Sequence, residues 1–299
     1  MSIDLSGFPP SEANTQSASP SSRPRRGLLT VVTLVVLIAV VAAIAIVASE
    51  SNRTPTAARV GDHVVLAALQ TTTAQQSARL SMSEAVSSGG QSLTLSGKGV
   101  VDLATGAYDM SVRVPQLPGA TIRTIVIHHV VYEQLPAIAR SAYRTPWISI
   151  HFGSLDTMKT FTSGGGVLTS LQLLANRGDQ VSDLGSTTLS GATVHEYQVV
   201  ITPSALRRQV ADAHFPAWMR STTLHVFSGA LTEDVYVGHD GLLRELSATF
   251  SIEAAGQRGS VVVTVALSDY GVHTSITAPP KSQVTDITPN LDTVPTSPV

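Results

Sequence analysis

The chain has no cysteine among its 299 residues. That excludes disulfides, thiolate metal sites and a cysteine nucleophile, and it excludes anchoring through a lipidated N-terminal cysteine. Charge is scarce as well: 13% of residues are Asp, Glu, Lys or Arg, against about 25% in an average globular domain. Lys98, Lys159 and Lys281 are the only lysines, and the formal net charge is −2. No basic footprint for nucleic acid is present. Aromatic residues make up only 5%. The chain is built largely from aliphatic residues, Thr, Ser and Gly.

Recognisable catalytic motifs are missing too. There is no Gly-x-Ser-x-Gly elbow, and Ser163-Gly164-Gly165-Gly166 runs into Val167 rather than the Lys of a phosphate-binding loop. The histidines His63, His128, His129, His151, His195, His214, His225, His239 and His273 lack metal-ligand spacing. Read as one strand, His128 and His129 point to opposite faces and cannot chelate together. Asp102, Asp240 and Asp269 fit strand ends and turns. Trp147 and Trp218 read as packing residues, and Arg207-Arg208 as a solvated helix face. The chain is read as not an enzyme, with no cofactor and no metal.

What is present is one long apolar run. Gly27–Ala48 carries no charge and no proline. About 22 helical residues span roughly 33 Å, enough for a hydrocarbon core of about 30 Å. The run is too long for the core of a cleavable signal sequence, so it predicts a transmembrane helix. Arg23, Arg25 and Arg26 precede it, while Glu50 and Arg53 follow. This bias places the N-terminus in the cytoplasm and the rest outside. The implied organisation is a disordered cytoplasmic tail over 1–26, the membrane helix over 27–48, a linker over 49–56, an extracytoplasmic domain over 57–287 and a disordered tail over 288–299.

Within the domain, Ala58–Ala78 has helical spacing, with Val60, Val64, Leu66, Ala67 and Leu69 as its apolar face. The period then changes to two. Arg79–Val86, Gln91–Leu103 and Tyr108–Val114 read as strands, with turns at Gly89-Gly90 and Thr105-Gly106. Thr121–Leu135 reads as one long strand and Trp147–Phe152 as another. Leucines over Val167–Asn176 predict a helix, and Pro203–Ala213 a second one with Pro at its start. Further strands are read at Val181–Leu189, Thr193–Ile201, Thr223–Phe227, Leu231–Val237, Leu242–Glu253, Arg258–Asp269 and Val272–Thr277. From Pro279 the sequence is a polar, Pro-rich tail. The fold class is α+β, one antiparallel sheet with inserted helices, and Gly97 and Gly99 suit a strongly bent sheet.

A set of short motifs stands in order along the chain: Gly97-Lys98-Gly99-Val100-Val101-Asp102, Val131-Tyr132 with Leu135-Pro136, Pro146-Trp147-Ile148, His195-Glu196-Tyr197, Val235-Tyr236-Val237 through Asp240-Gly241-Leu242-Leu243-Arg244, Asp269-Tyr270-Gly271 and Pro279-Pro280. In this the chain resembles the actinobacterial LppX/LprG-type lipoproteins, whose domain is similar to the lipoprotein carriers LolA and LolB. The likeness covers roughly 57–287. One departure is the absent lipobox cysteine, whose place the apolar helix takes. The resemblance implies a curved antiparallel half-barrel wrapped over helices, with an apolar cavity for an acylated lipid or glycolipid. Each buried CH₂ of such a ligand contributes about 0.8 kcal/mol. Candidate lining residues are Met110 and Val112 on one strand face, Ile125 and Ile127 on another, Leu171 and Leu174 on the helix, and Phe250 and Val263 nearby. The implied partners are that lipid, the membrane through 27–48, and an envelope protein. The rival readings are a sensor or interaction module with a closed core, and an envelope hydrolase.

Overall fold

The computed structural model describes residues 60–115, 121–128, 130–136, 140, 143–151, 180–204, 207, 229–254 and 257–288. All of them lie in the compact unit Leu37–Val299. The apolar run Gly27–Ala48, the predicted helix Val167–Asn176, most of Pro203–Ala213 and the predicted strand Thr223–Phe227 fall outside these residues. Among the described residues no helix is long and apolar enough to cross a membrane.

Helix α1, Val60–Thr73, is followed by strands β1 Ser77–Ser88, β2 Gln91–Asp102, β3 Tyr108–Arg113, β4 Thr121–Ile127, β5 Val130–Gln134 and β6 Trp147–His151. Then come β7 Gln180–Leu189, β8 Ala192–Ile201, β9 Leu231–Gly238, β10 Leu243–Ala254, β11 Gln257–Ser268 and β12 Val284–Asp286. They form one curved, unclosed sheet in the order β12-β6-β5-β4-β3-β2-β1-β11-β10-β9-β8-β7. Every neighbouring pair is antiparallel except β12 with β6. Hairpins make most connections, which is why short Gly-containing turns punctuate the sequence. Gly90, Gly106, Gly191 and Gly241 all take the positive φ such turns require.

Strand β1 lies mid-sheet, between β2 and β11. The two internal glycines of β2 permit a close approach to β3. A Cβ on Gly99 would stand 2.1 Å from the carbonyl oxygen of Asp109, and one on Gly97 3.0 Å from Met110 Sδ.

Helix α1 packs on β7, β9 and β10. Its buried stripe is Val65, Ala68, Leu69 and Thr72, spaced i, i+3, i+4, i+7. The predicted apolar face is therefore corrected: Ala67 is exposed, while Val64 and Leu66 only flank the stripe. The helix also stops sooner than its spacing suggested. Thr71 and Thr73 turn their hydroxyls back to the carbonyls of Ala67 and Leu69. Gln76 then takes φ 67 and β1 starts at Ser77. Thr72 holds the helix down, its Oγ1 accepting the Leu243 N–H at 2.8 Å.

Three further expectations are corrected. The predicted strand Thr121–Leu135 is a hairpin of β4 and β5, reversed at His128 with φ 51. His128 therefore sits on a turn, exposed, rather than within a strand. Among the described residues Val272–Thr277 has no ladder partner, and its start is tied instead by Ser77 Oγ, which donates to the Val272 carbonyl at 2.6 Å. The segment read as a polar tail supplies β12, which pairs in parallel with Trp147–Ser149.

Candidate functional site

Cross-strand partners in a β-ladder share a face, so the register traces the inner face across the sheet. On β3, β4 and β5 it carries Met110 and Val112, Ile122, Thr124 and Val126, then Val131 and Glu133. On β2 and β1 it carries Leu95, Gly97, Gly99 and Val101, then Leu80, Met82 and Glu84. On β11, β10 and β9 it carries Val261, Val263 and Val265, then Leu246, Ala248 and Phe250, then Glu233 and Val235. The face is aliphatic almost throughout. Phe250, Val261, Val235 and, from α1, Val65, Ala68 and Leu69 belong to one continuous core.

Of the sequence-chosen lining residues, Met110, Val112, Phe250 and Val263 lie on this inner face. The first three are buried and Val263 is half-buried. Ile125 and Ile127 lie on the opposite face, because Met110 pairs with Thr124 and Asp109 pairs with Ile125. Ile125 is 2% exposed there. The outer side of β3 to β6 also carries Trp147, buried, with the Arg123 guanidinium 5.9 Å from its ring centroid. Arg123 also donates to both carboxylate oxygens of Asp109. Leu171 and Leu174 lie outside the described residues.

The inner face holds four polar residues that the sequence reading did not pick out: Glu84, Thr124, Glu133 and Glu233. Glu84 is 2% exposed and Thr124 1%. Among the described residues, Glu84 Oε2 and Thr124 Oγ1 have no hydrogen-bond partner. Burial pushes the Glu84 carboxyl up to about 8 and that of Glu133 up to about 7. At neutral pH Glu84 is therefore mainly a neutral acid with one O–H to donate. Glu133 pairs across the ladder with Thr124, and its charge raises the phenol of nearby Tyr108 further, after burial. The sequence did carry a trace of these groups. Each acid stands in the apolar phase of its strand, as Glu84 does behind Leu80 and Met82.

The exposed polar groups do other work. Asp102 Oδ1 accepts the N–H groups of Ala104 and Thr105, and Asp240 Oδ1 that of Leu242, closing turns as expected. Asp269 ends β11 and pairs with Arg79 at 3.0 Å. His195 Nε2 lies 2.6 Å from Asp183 Oδ1 near the sheet's β7 edge, and this hydrogen bond, with one from Gly185 N–H, holds the Asp183 carboxyl low. Among the described residues no three His, Asp or Glu side chains converge as a metal site.

No protein-family model matches the sequence, and no curated relative matches it. Solved structures do. LppX, a lipoprotein of Mycobacterium tuberculosis, is 12% identical, with a TM-score of 0.40 over 73% of this chain and 98% of its own. LprF from Mycobacterium bovis is 10% identical, with a TM-score of 0.38 over 76% and 99%. A LolA superfamily protein from Nitrosomonas europaea is 8% identical, with a TM-score of 0.29 over 72% and 95%. These likenesses say nothing of what this chain binds.

Proposed function

We propose that the chain is a membrane-anchored, extracytoplasmic lipid-binding protein. It holds or shuttles acylated envelope molecules, lipid or glycolipid, against the inner face of the sheet. The observation that carries the reading is the inner face itself: an aliphatic surface across successive strands, into which Glu84 and Thr124 project polar atoms that the described residues leave unpartnered. An acyl chain would pair with the aliphatic surface at about 25 cal/mol per Å². The motif order of the sequence and the run Gly27–Ala48 support the same reading. The helix would keep the domain beside the membrane that supplies its ligand. Met110, Val112, Phe250 and Val263 remain the lining candidates, with Leu171 and Leu174 from the helix read in the sequence.

A second reading has its own support. Met110, Val112 and Phe250 are almost wholly removed from solvent, as in a closed core. A closed domain would serve as an envelope interaction module. Titration of the full chain in detergent with a pyrene-labelled phospholipid separates the two. Saturable uptake supports lipid binding, and no uptake with an intact melting transition supports the module.

A further inference from the structure

Glu84 is costly where it stands. Across the ladder it faces Leu95 on β2 and Val263 on β11, and along its own strand the residues in phase are Met82 and Val86. Every one of these neighbours is apolar. Among the described residues its Oε2 has no hydrogen-bond partner. A polar group buried without a partner destabilises a fold. A leucine here would complete the aliphatic row at no such cost. Proteins keep such groups where function needs them. The acid is mainly neutral at pH 7 because burial raises it, so it presents a donor inside an apolar surface. A neutral donor in such a place suits a neutral acceptor on an otherwise apolar molecule. A phosphate or carboxylate would have to shed its hydration, and among the described residues the ladder neighbours of Glu84 offer no cation to compensate.

We propose that Glu84 is the polar anchor of the inner face, its carboxylic acid donating a hydrogen bond to an ester or amide carbonyl of an acyl ligand that lies across β1, β2 and β11. This rests on the lipid-binding reading and sharpens it. The anchor selects carbonyl-linked acyl chains over hydrocarbon of the same length, and it fixes the ligand's linkage region at mid-sheet.

The full chain in detergent, titrated with dioleoylglycerol and with its dialkyl ether analogue, tests the assignment. The two probes differ only in their linkage carbonyls. Wild type favours the ester by about tenfold, the worth of one well-placed hydrogen bond. Glu84→Gln, which keeps an N–H donor, retains most of that preference. Glu84→Leu binds both probes alike while melting at a higher temperature than wild type, so lost folding is not the cause. In infrared difference spectra, the carbonyl band of the Glu84 acid shifts when the ester binds and is missing in Glu84→Gln. Equal preference in wild type and Glu84→Leu overturns the anchor and leaves the lipid-binding reading standing. Binding of neither probe overturns both.

Discussion

Met110 and Ile125 stand on opposite faces of the sheet, although they lie on adjacent strands and both are buried. The register sets this: Met110 pairs with Thr124, and Ile125 pairs with Asp109. A ligand on the inner face meets the Met110 side and not the Ile125 side.

That division predicts an asymmetry at two half-buried positions. Val263 is on the inner face beside Glu84, and Ile127 is on the outer face. Val263→Phe adds bulk to the inner face and should cut lipid uptake severalfold. Ile127→Phe should leave uptake unchanged. Titrations of the two variants with the pyrene-labelled phospholipid, each variant checked for a wild-type melting transition, decide the matter.

The β2–β3 approach predicts unequal tolerance of alanine. Gly99→Ala would force a Cβ to 2.1 Å from a backbone oxygen, which cannot move without opening the ladder. Gly97→Ala meets only side-chain atoms, Sδ of the flexible Met110 at 3.0 Å and Cγ2 of Val112 at 3.2 Å. Gly99→Ala should abolish soluble expression or cost several kcal/mol, on the order of the worst overpacked cores. Gly97→Ala should cost about 1 kcal/mol. Comparable yields and melting temperatures for the two would contradict the geometry.

The contact between α1 and β10 predicts a clear loss. Thr72→Val keeps shape and removes the acceptor of the buried Leu243 N–H. About 1–3 kcal/mol should be lost, read as a lower denaturation midpoint at unchanged slope.

Much of this fold was legible. The hairpin turns at Gly89-Gly90, Ser190-Gly191 and Asp240-Gly241 contain glycines that accept positive φ, and the strands beside them alternate cleanly. The reversal at His128 is not legible in the sequence, because it takes φ 51 with no glycine or proline to mark it. Strand β12 is three residues long and takes its conformation from β6 rather than from any pattern of its own. The sheet face each lining candidate takes was half legible. Alternation shows which residues share a face within a strand, but which face pairs with the neighbour's depends on the loop between β3 and β4. The buried acids were visible as breaks in apolar phase, and only the register shows that they lie on the inner face.

Those acids predict a pH dependence. Glu84 and Glu133 are raised in the folded protein to about 8 and about 7, from ordinary values near 4.5. The folded state then holds more protons than the unfolded state between these limits, so stability falls as pH rises from about 4.5 to about 8 and levels off above. Glu84→Gln should flatten the upper part of that decline. Denaturation midpoints across this range check it, and a wild-type stability that climbs with pH would refute the assignment.

The central claim is that the inner face holds an acyl ligand. Native mass spectrometry of the full chain, extracted in mild detergent from a membrane-containing host and followed by lipid extraction, tests it most directly. The account predicts a bound mass that extracts as acyl lipid and is diminished by Val263→Phe. A bare chain, still bare after incubation with envelope lipids, would contradict it.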